Sequence, residues 1–263
     1  MRSAGEGSGL LFATQAGVGW IVFDNPQRHN ALTPPMAAAL DRIGAELDTH
    51  DEVRCVVVRG SGTRAFMSGA DIGRLGDFRS ENTERAPDDV ASGLRRISKP
   101  VIAMIHGWCL GGGLLMALAA DVRIAAEDAR FGIPAARLGI GYPLEAVRTL
   151  VRIVGPANAA QLLLTGAHIT AGEALQMGLV NHVVEPENLE RKTSEMATAI
   201  AANAPLSVRA AKSTIRAVAG GHHPQGDEEA EAKRLIAACL ASEDFAEGRQ
   251  AFVEKRAPRF SGR

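Results

Sequence analysis

Two glycine-containing stretches have the composition and the position to do chemistry through their backbone. The first, "HGWCLGGGLL", covers residues 106–115, and the second, "MSGADI", covers residues 67–72. Each glycine costs a helix or strand about 1 kcal/mol relative to alanine, so a triplet needs a reason. Each stretch leads into a predicted helix, and the first N–H groups of a helix have no partner within it. Donors from the two stretches aimed at one point would stabilise a developing oxyanion.

The same residues could also have roles that involve no oxyanion. Three glycines permit tight packing of a strand against a helix, and this alternative stays open. A phosphate-binding loop is not supported, because neither GxxxxGK[ST] nor GxGxxG is present. His106 and Cys109 lie three residues apart without an evident orienting acid, which argues against a Cys–His nucleophile. The seven histidines have no metal-ligand spacing, so no metal site is predicted.

Composition restricts the class of protein. The chain has 263 residues, 46% of them hydrophobic, enough for one large domain or one domain with an appendage. Its 29 basic and 30 acidic residues nearly cancel and 4% of residues are aromatic, so nucleic acid is not an expected partner. Three widely spaced cysteines predict a reducing compartment. The N-terminus lacks an apolar signal region, and we therefore predict a cytoplasmic protein.

The elements that would position the two stretches alternate between strand and helix. Leu10–Asp24 is predicted to form two strands around a glycine turn. Pro34–Thr49 is predicted as a helix capped by Thr33, and Arg54–Gly60 as a buried strand. The uncharged residues 101–120 have the length of a membrane span, but their four glycines favour a strand, a loop and a helix, so no membrane association is predicted. This order predicts parallel strands and an α/β fold.

The rest of the chain is predicted to be mostly helical. A polar, irregular segment at 76–88 separates short helices predicted at about 70–75 and 89–97. Further helices are predicted at 156–164, 171–177, 186–203, 205–219, 227–241 and 243–255. We therefore divide the chain into a flexible tail (1–9), a core (10–200) and a C-terminal helical region (201–263). The amphipathic helices of the last region would cap the core or bury their apolar faces against another subunit.

Six motifs in a fixed order are far more specific than any single glycine cluster. They are "NPQRHNAL", "AFMSGADI", "KPVIAMIHGWCLGGG", "DVRIAAEDARFGIP", "LTGAHITAGEALQMGLVNHVV" and "AFVEKRAPRF". Together they resemble the enoyl-CoA hydratase/isomerase (crotonase) family over about residues 10–260. The resemblance implies a crotonase-like superhelix of β-β-α units with a C-terminal helical trimerisation region, assembled as trimers or dimers of trimers. It also implies acyl-CoA substrates, with coenzyme A as part of the substrate and no permanently bound cofactor.

The resemblance also implies roles for individual residues. The backbone N–H groups of Ala70 and Gly112 would form an oxyanion hole for a thioester enolate, which is the chemistry shared by the family. The residues that match CoA-contacting positions are Arg28, Ala31, Ser68, Asp71 and Ile72, followed near the C-terminus by Phe252 and Lys255. In the family the last two usually reach the CoA of a neighbouring subunit. Cations suit phosphates and an aromatic wall suits adenine, although a solvated surface role fits Arg28 and Lys255 equally well.

Two positions depart from the hydratases of the family. These enzymes carry one glutamate two residues after the glycine triplet and another after the proline of an "FGxPE" pattern, where this chain has Leu115 and Ala135. Hydration needs a base to activate water and a proton for the α-carbon, and neither side chain supplies them. We therefore predict weak or absent hydration of simple enoyl-CoAs. Isomerisation is disfavoured too, because many isomerases of the family use an acid at the second position.

The polar groups that remain lie in "LGIGYPLEAVRTL", which resembles the corresponding loop of methylmalonyl-CoA decarboxylases, with Tyr142 at their tyrosine. A decarboxylase needs no strong base, and Tyr142 would orient a carboxylate or donate a proton. A packed ring with a bonded hydroxyl accounts for the same residue without catalysis. The decarboxylase pattern has a histidine at the position of Ala70, which is a departure. Glu145 is predicted to face solvent, and a non-catalytic CoA-thioester binding subunit is the remaining alternative.

Overall fold

The computed structural model describes residues 1–3, 7–70, 91–219 and 226–263. The strands in these residues are β1 (Arg2–Ser3), β2 (Leu10–Gln15), β3 (Val18–Phe23), β4 (Cys55–Gly60), β5 (Ala65–Met67), β6 (Val101–Ile105), β7 (Trp108–Leu110), β8 (Val122–Ala126), β9 (Arg130–Gly132), β10 (His168–Thr170) and β11 (His182–Val184). One sheet has the order β1-β2-β3-β4-β6-β8-β11, and a second has the order β10-β9-β7-β5. From β3 to β11 the strands of the first sheet are parallel, which confirms the predicted arrangement.

Helices cover these sheets and form the C-terminal part of the chain. The helices of the described residues are α1 (Pro34–Thr49), α2 (Ser92–Arg96), α3 (Gly112–Leu118), α4 (Leu144–Thr165), α5 (Ala171–Gln176), α6 (Leu189–Ala201), α7 (Pro205–Ala219), α8 (Gly226–Leu240) and α9 (Glu243–Glu254). Short 3₁₀ segments lie at Pro26–Arg28, Pro134–Leu138 and Pro186–Asn188. None of the helices in the described ranges is long and apolar enough to cross a membrane.

Helix α1 follows directly from its sequence. The hydroxyl of Thr33 accepts a hydrogen bond from the Met36 amide at 3.4 Å and so caps the first turn. Proline is tolerated at the first positions because their N–H groups would have no helical partner. The buried face recurs every three or four residues, at Met36, Ala39, Leu40, Ile43, Gly44 and Leu47. Both the bounds and the cap agree with the prediction.

The central strands are buried on both faces, because helices pack on both sides of the first sheet. Along β4, Val56 and Val58 belong to the main hydrophobic core, where α1 packs. Val57 belongs to a second cluster, which includes Leu189 and Ala197 of α6 on the other side. The two-residue period of the strand therefore divides its side chains between two apolar layers. The main core continues under the glycine stretch, which is thereby held by well-packed elements.

The second sheet was not predicted. Its strands have three residues each, and β7 lies inside "HGWCL", which we expected to be loop. Helix α4 begins at Leu144, well before the predicted start at 156. Gly155 adopts φ +77° and precedes a proline, so the helix is kinked where the sequence suggested a beginning. The predicted helices beyond this point agree with the structure to within a few residues.

Two parts of the sequence prediction are not fully tested by the described residues. Arg2–Ser3 pairs antiparallel with β2, although these residues belong to the predicted flexible tail, and the flexibility of 1–9 stays a prediction. The predicted helix at about 70–75 and the irregular segment at 76–88 lie outside the described residues beyond Ala70. The first residues of the helix predicted at 89–97 also lie outside the described residues, whereas the remainder of that prediction contains α2.

Candidate active site

The glycine triplet joins the second sheet to helix α3. Gly111 has φ +51° and ψ −117°, a combination that residues other than glycine rarely adopt, and its N–H donates to the Gly132 carbonyl at 2.9 Å. A Cβ on Gly113 would lie 2.1 Å from the Met67 carbonyl oxygen, so this position has no room for a side chain. Backbone geometry therefore requires glycine on both sides of Gly112.

The second glycine stretch lies directly against the first. After β5 the chain turns at Gly69, which has φ +111°, and reaches Ala70. A Cβ on Gly112 would lie 3.3 Å from the Ala70 nitrogen, and a Cβ on Gly69 would lie 3.5 Å from the Gly112 nitrogen. In the part of the chain that the structure describes, no backbone carbonyl accepts from the Ala70 or Gly112 amide. The structure thus brings the two predicted donors side by side.

Asn30 ties the preceding loop to this region, and the sequence analysis missed it. Its buried amide nitrogen donates to the Ala65 carbonyl at 2.7 Å and the Ser61 carbonyl at 3.1 Å, while its oxygen accepts from the Asn25 amide at 3.0 Å. His29 and Asn30 have φ of +51° and +55°, in the left-handed region. Asparagine tolerates that region better than most residues, so the "HNA" sequence carried a detectable signal.

Three of the predicted CoA-contacting residues share this loop cluster. Ser68 donates through its amide to the His29 carbonyl at 3.0 Å and through its hydroxyl to the Arg28 carbonyl at 3.3 Å. The Ala31 amide also donates to the Arg28 carbonyl, at 3.0 Å. Arg28 is exposed, whereas Ala31 is buried. The cluster lies next to Ala70, because the Leu32 amide donates to the Gly69 carbonyl at 2.8 Å.

The remaining predicted CoA contacts are not brought to this cluster. Asp71 and Ile72 lie outside the described residues. Phe252 and Lys255 lie on and directly after α9, where the Phe252 side chain is 86% exposed. In the described ranges, the hydrogen bonds of α9 run to the residues at its own two ends and to the tail that follows it. Within one chain, none of them connects these two residues to the glycine loop.

The two positions of the missing glutamates are apolar and almost fully buried. Leu115 is 9% exposed on α3, and Ala135 is 8% exposed in the 3₁₀ segment 134–138. Both belong to the main hydrophobic core. Glu145 lies in the first turn of α4, is exposed and pairs with Arg148, so its predicted solvent-facing position is confirmed. Neither core position offers a group that takes or gives a proton.

Tyr142 lies beside the glycine loop. Its ring packs against the main core, and its hydroxyl donates to the Gly111 carbonyl at 3.0 Å. Burial raises the pKa of Tyr142 well above its usual value, so the phenol is protonated at neutral pH. The hydroxyl is therefore a hydrogen-bond donor to the backbone of the predicted oxyanion loop.

The neighbouring cysteine and histidine do not form a nucleophile pair. Burial raises the pKa of the Cys109 thiol far above its usual range, which keeps it protonated. Burial and the charge of Arg59 lower the pKa of His106 to about 4, so its ring is neutral at pH 7. Within the described ranges, no group of three or more His, Cys, Asp or Glu side chains is placed to hold a metal ion.

Comparisons with known proteins all give one family. Residues 13–263 match a family model described as enoyl-CoA hydratase/isomerase. The chain is 34% identical to the short-chain-enoyl-CoA hydratase of Clostridium acetobutylicum, over 95% of this chain and 97% of the relative. It is also 34% identical to the methylmalonyl-CoA decarboxylase of Escherichia coli, over 92% of this chain and 94% of that protein.

Solved structures of similar proteins have the same fold. The crystal structure of an enoyl-CoA hydratase/carnithine racemase from Magnetospirillum magneticum superposes with a TM-score of 0.88 at 32% identity. The alignment covers 97% of this chain and 96% of the other. The predicted crotonase-like α/β fold with C-terminal helices is thereby confirmed, whereas trimerisation stays a prediction.

Proposed function

Because the chain belongs to the enoyl-CoA hydratase/isomerase family, we propose that it is an acyl-CoA enzyme that stabilises a thioester enolate with two backbone amides. The observation that carries this proposal is the adjacency of Ala70 and Gly112: a Cβ on Gly112 would lie 3.3 Å from the Ala70 nitrogen. Coenzyme A enters as part of the substrate. Arg28, Ala31 and Ser68, clustered beside Ala70, are the proposed contacts on this side.

The two amides would act on the thioester oxygen. When negative charge develops on that oxygen, two fixed N–H donors stabilise it without reorganisation. Each donor of this kind typically contributes about 2.7–4 kcal/mol of transition-state stabilisation. Their positions depend on backbone geometry that the neighbouring glycines allow, so the chemistry needs no catalytic side chain at this point.

Hydration of simple enoyl-CoAs should be slow. Addition of water places a hydroxyl on the β-carbon and a proton on the α-carbon, and it needs a group that accepts the proton of water. Leu115 and Ala135 occupy the two positions where family hydratases carry glutamates, and both are buried in the apolar core. The proposal therefore places this chain among family members whose reaction needs an oxyanion hole but not those two carboxylates.

Decarboxylation is the second candidate. The bond between the α-carbon and the carboxylate breaks, CO₂ leaves, and the electron pair moves into the thioester enolate, which then takes a proton at the α-carbon. The oxyanion hole supports this step without a strong base. Two observations favour it: Tyr142 lies beside the glycine loop, and a relative of 34% identity is named a methylmalonyl-CoA decarboxylase. Ala70 is a departure from that subgroup, which carries a histidine at this position.

The experiment compares crotonyl-CoA with methylmalonyl-CoA as substrates for the wild type, Gly112→Pro and Gly112→Ala. Proline removes the N–H donor, and we expect kcat to fall roughly 10²–10³-fold. Alanine keeps the N–H but places a Cβ 3.3 Å from the Ala70 nitrogen, so its loss measures the crowding that both variants share and should be smaller than that of proline. Ordinary turnover of crotonyl-CoA would contradict the prediction of weak hydration. Binding of both thioesters without turnover would favour a non-catalytic CoA-binding subunit.

Self-association as a trimer or a dimer of trimers stays a prediction that fits the exposed side chains of the C-terminal region. Phe252 and Val253 are 86% and 77% exposed on α9, although both are apolar. Isolated exposed apolar residues are common, but adjacent large ones on one helix suit a covered surface. In that assembly Phe252 and Lys255 would reach the CoA of a neighbouring subunit, as the family resemblance implies.

A further inference from the structure

The hydrogen bond between Tyr142 and Gly111 acts on the same peptide unit that carries the predicted oxyanion donor. The Gly111 carbonyl and the Gly112 N–H are the two ends of one planar peptide unit. A group that fixes the direction of the carbonyl therefore fixes the direction of the N–H, which points the opposite way. The Tyr142 hydroxyl donates to this carbonyl at 3.0 Å.

This peptide needs external restraint, because glycine has more conformational freedom than any other residue. Among the described residues, three hydrogen bonds act on Gly111. Its N–H donates to the Gly132 carbonyl at 2.9 Å, and its carbonyl accepts from the Leu115 amide at 3.1 Å as well as from Tyr142. The first two bonds come from backbone, so Tyr142 is the side chain in this set. It reaches the loop from the turn between the 3₁₀ segment 134–138 and α4.

Given the enolate chemistry proposed above, we propose that Tyr142 is a positioning residue whose hydroxyl orients and polarises the Gly111–Gly112 peptide so that the Gly112 N–H faces the thioester oxygen. Donation to a carbonyl strengthens the N–H of the same peptide as a donor, by about a tenth to a third of a hydrogen bond in condensed phases. The effect of Tyr142 on catalysis then passes entirely through backbone.

A direct contact with the substrate makes a different prediction. A phenol has one proton, and in the structure that proton is directed at the Gly111 carbonyl. A substrate carboxylate accepts hydrogen bonds but does not donate them, so it would have to compete for the same proton. Peptide positioning affects every thioester that forms an enolate. A carboxylate contact affects only acyl groups that carry a carboxylate.

The test uses acetoacetyl-CoA, whose enolate absorbs in the near ultraviolet and which carries no free carboxylate. Its enolisation is titrated against pH while bound to the full-length wild type, Tyr142→Phe and Thr149→Val. The control removes a hydroxyl that donates to the Glu145 carbonyl at 2.9 Å, within α4, and not to the glycine loop. We expect Tyr142→Phe to weaken enolate stabilisation roughly 3- to 10-fold, with butyryl-CoA affinity changed less than 2-fold. The control should match the wild type.

A second measurement keeps the shape of the side chain. Tyr142 is the one tyrosine of the chain, so growth on 3-fluorotyrosine labels this position alone. Fluorine makes the phenol a stronger donor, and bound acetoacetyl-CoA should then enolise more readily than in the wild type. The two changes are thus expected to act in opposite directions, which loss of packing would not produce.

The outcomes separate this proposal from the one on which it rests. If acetoacetyl-CoA bound to the wild type is no more enolised than free acetoacetyl-CoA at the same pH, the proposed oxyanion hole is wrong. If the wild type stabilises the enolate and Tyr142→Phe does so equally, Tyr142 does not position the peptide. Equal weakening of butyryl-CoA and enolate binding in Tyr142→Phe, or no opposite change on fluorination, would also overturn the positioning role. An effect confined to methylmalonyl-CoA would indicate a direct carboxylate contact instead.

Discussion

The glycine-loop region and the C-terminal helices use apolar residues in opposite ways. We define the first as β5, β7 and α3 with the loops between Met67 and Ala70 and between Leu110 and Gly112, and the second as α7, α8 and α9. In the first, Phe66, Met67, Leu114 and Met116 are fully buried, and Trp108 of β7 is the exception at 38% exposed. In the second, large apolar side chains point to solvent, and they include Ile215, Val218, Leu240, Phe252 and Val253.

This difference reflects the kind of contact that holds each region in place. The glycine-loop region is determined within one chain: backbone atoms approach so closely that Gly113 has no room for a Cβ. The C-terminal helices are held to the core by polar contacts, such as those of Lys212 with Asp121 at 2.7 Å and with the Lys99 carbonyl at 2.6 Å. The first region can therefore fix two backbone amides, whereas the second leaves an apolar surface without cover in one chain.

The largest expected effect comes from adding one methyl group to a glycine in each region. Gly113→Ala would place a Cβ 2.1 Å from the Met67 oxygen, and we expect it to cost about 3 kcal/mol of unfolding free energy, the upper end of the usual range for overpacking. Gly248→Ala lies in α9, where the new Cβ meets nothing closer than 3.6 Å, to Phe260. Removing glycine from a helix interior should stabilise that variant by up to about 1 kcal/mol.

Urea unfolding of both variants, beside the wild type, measures the contrast. A small cost for Gly113→Ala would mean that the contact with Met67 relaxes easily. The glycine-loop region would then be less rigid than its backbone distances indicate. A loss of stability in Gly248→Ala would show that α9 is packed more tightly than its contact distances indicate.

The next largest effect is a pH dependence of the free energy of unfolding, which falls in one pH window near the glycine loop and in another in the C-terminal helices. His106 has a folded pKa of about 4 against about 6.5 unfolded, so the unfolded state binds more protons between these values. Stability is therefore fully present above pH 6.5 and falls as the pH drops towards 4, by up to about 3 kcal/mol. His106→Asn should remove this part of the pH dependence in urea unfolding measured from pH 7 to 4.5. Parallel curves for the variant and the wild type would contradict it.

The C-terminal helices should respond in a lower window. Hydrogen bonds from Arg256 and the Arg259 amide lower the pKa of Glu247 to about 2. Its folded pKa lies below the unfolded value of about 4.5, so its contribution is present above pH 4.5 and is lost as the pH falls towards 2. Glu247→Gln should leave the window between pH 6.5 and 4.5 unchanged. It thereby serves as the control for His106→Asn.

Local patterns account for the elements that the sequence predicted. Helix α1 and strand β4 carry their periodicity and their start and stop signals within a few residues, and their bounds were predicted closely. Strand β7 has three residues, and it is a strand because β5 and β9 pair with it from distant parts of the chain. No periodic pattern can be detected over so short a segment.

The candidate site also has one part that the sequence indicated and another that only the tertiary structure shows. The glycines indicated backbone donors, and the family resemblance, not spacing, selected Ala70 and Gly112. The role of Asn30 depends on the Ala65 carbonyl 35 positions away, and the bond of Tyr142 depends on a loop 31 positions away. Such contacts arise from tertiary structure, and no local pattern encodes them. The prediction that Phe252 and Lys255 contact CoA concerns a neighbouring subunit, so the fold of one chain does not test it.

The smallest expected effect tests whether the C-terminal helices unfold together with the main core, to which the buried residues of the glycine-loop region belong. The Thr33 hydroxyl caps α1 with a bond from Met36 at 3.4 Å, and the Ser242 hydroxyl caps α9 with a bond from Phe245 at 3.0 Å. Replacing either residue by alanine should cost about 1 kcal/mol. We expect Thr33→Ala to lower amide protection throughout the main sheet, because α1 packs on the main core.

Ser242→Ala should act more locally. Helix α9 buries few apolar side chains, so it can open at a lower free energy than the sheet. Hydrogen exchange should therefore become faster in α9 while the protection of β4 and β6 stays at the wild-type level. Equal loss of protection in β6 from both variants would mean that polar contacts such as Lys212 with Asp121 join the C-terminal helices and the main core into one cooperative unit. The apolar surface of the C-terminal helices would then be held rigidly even in a single chain.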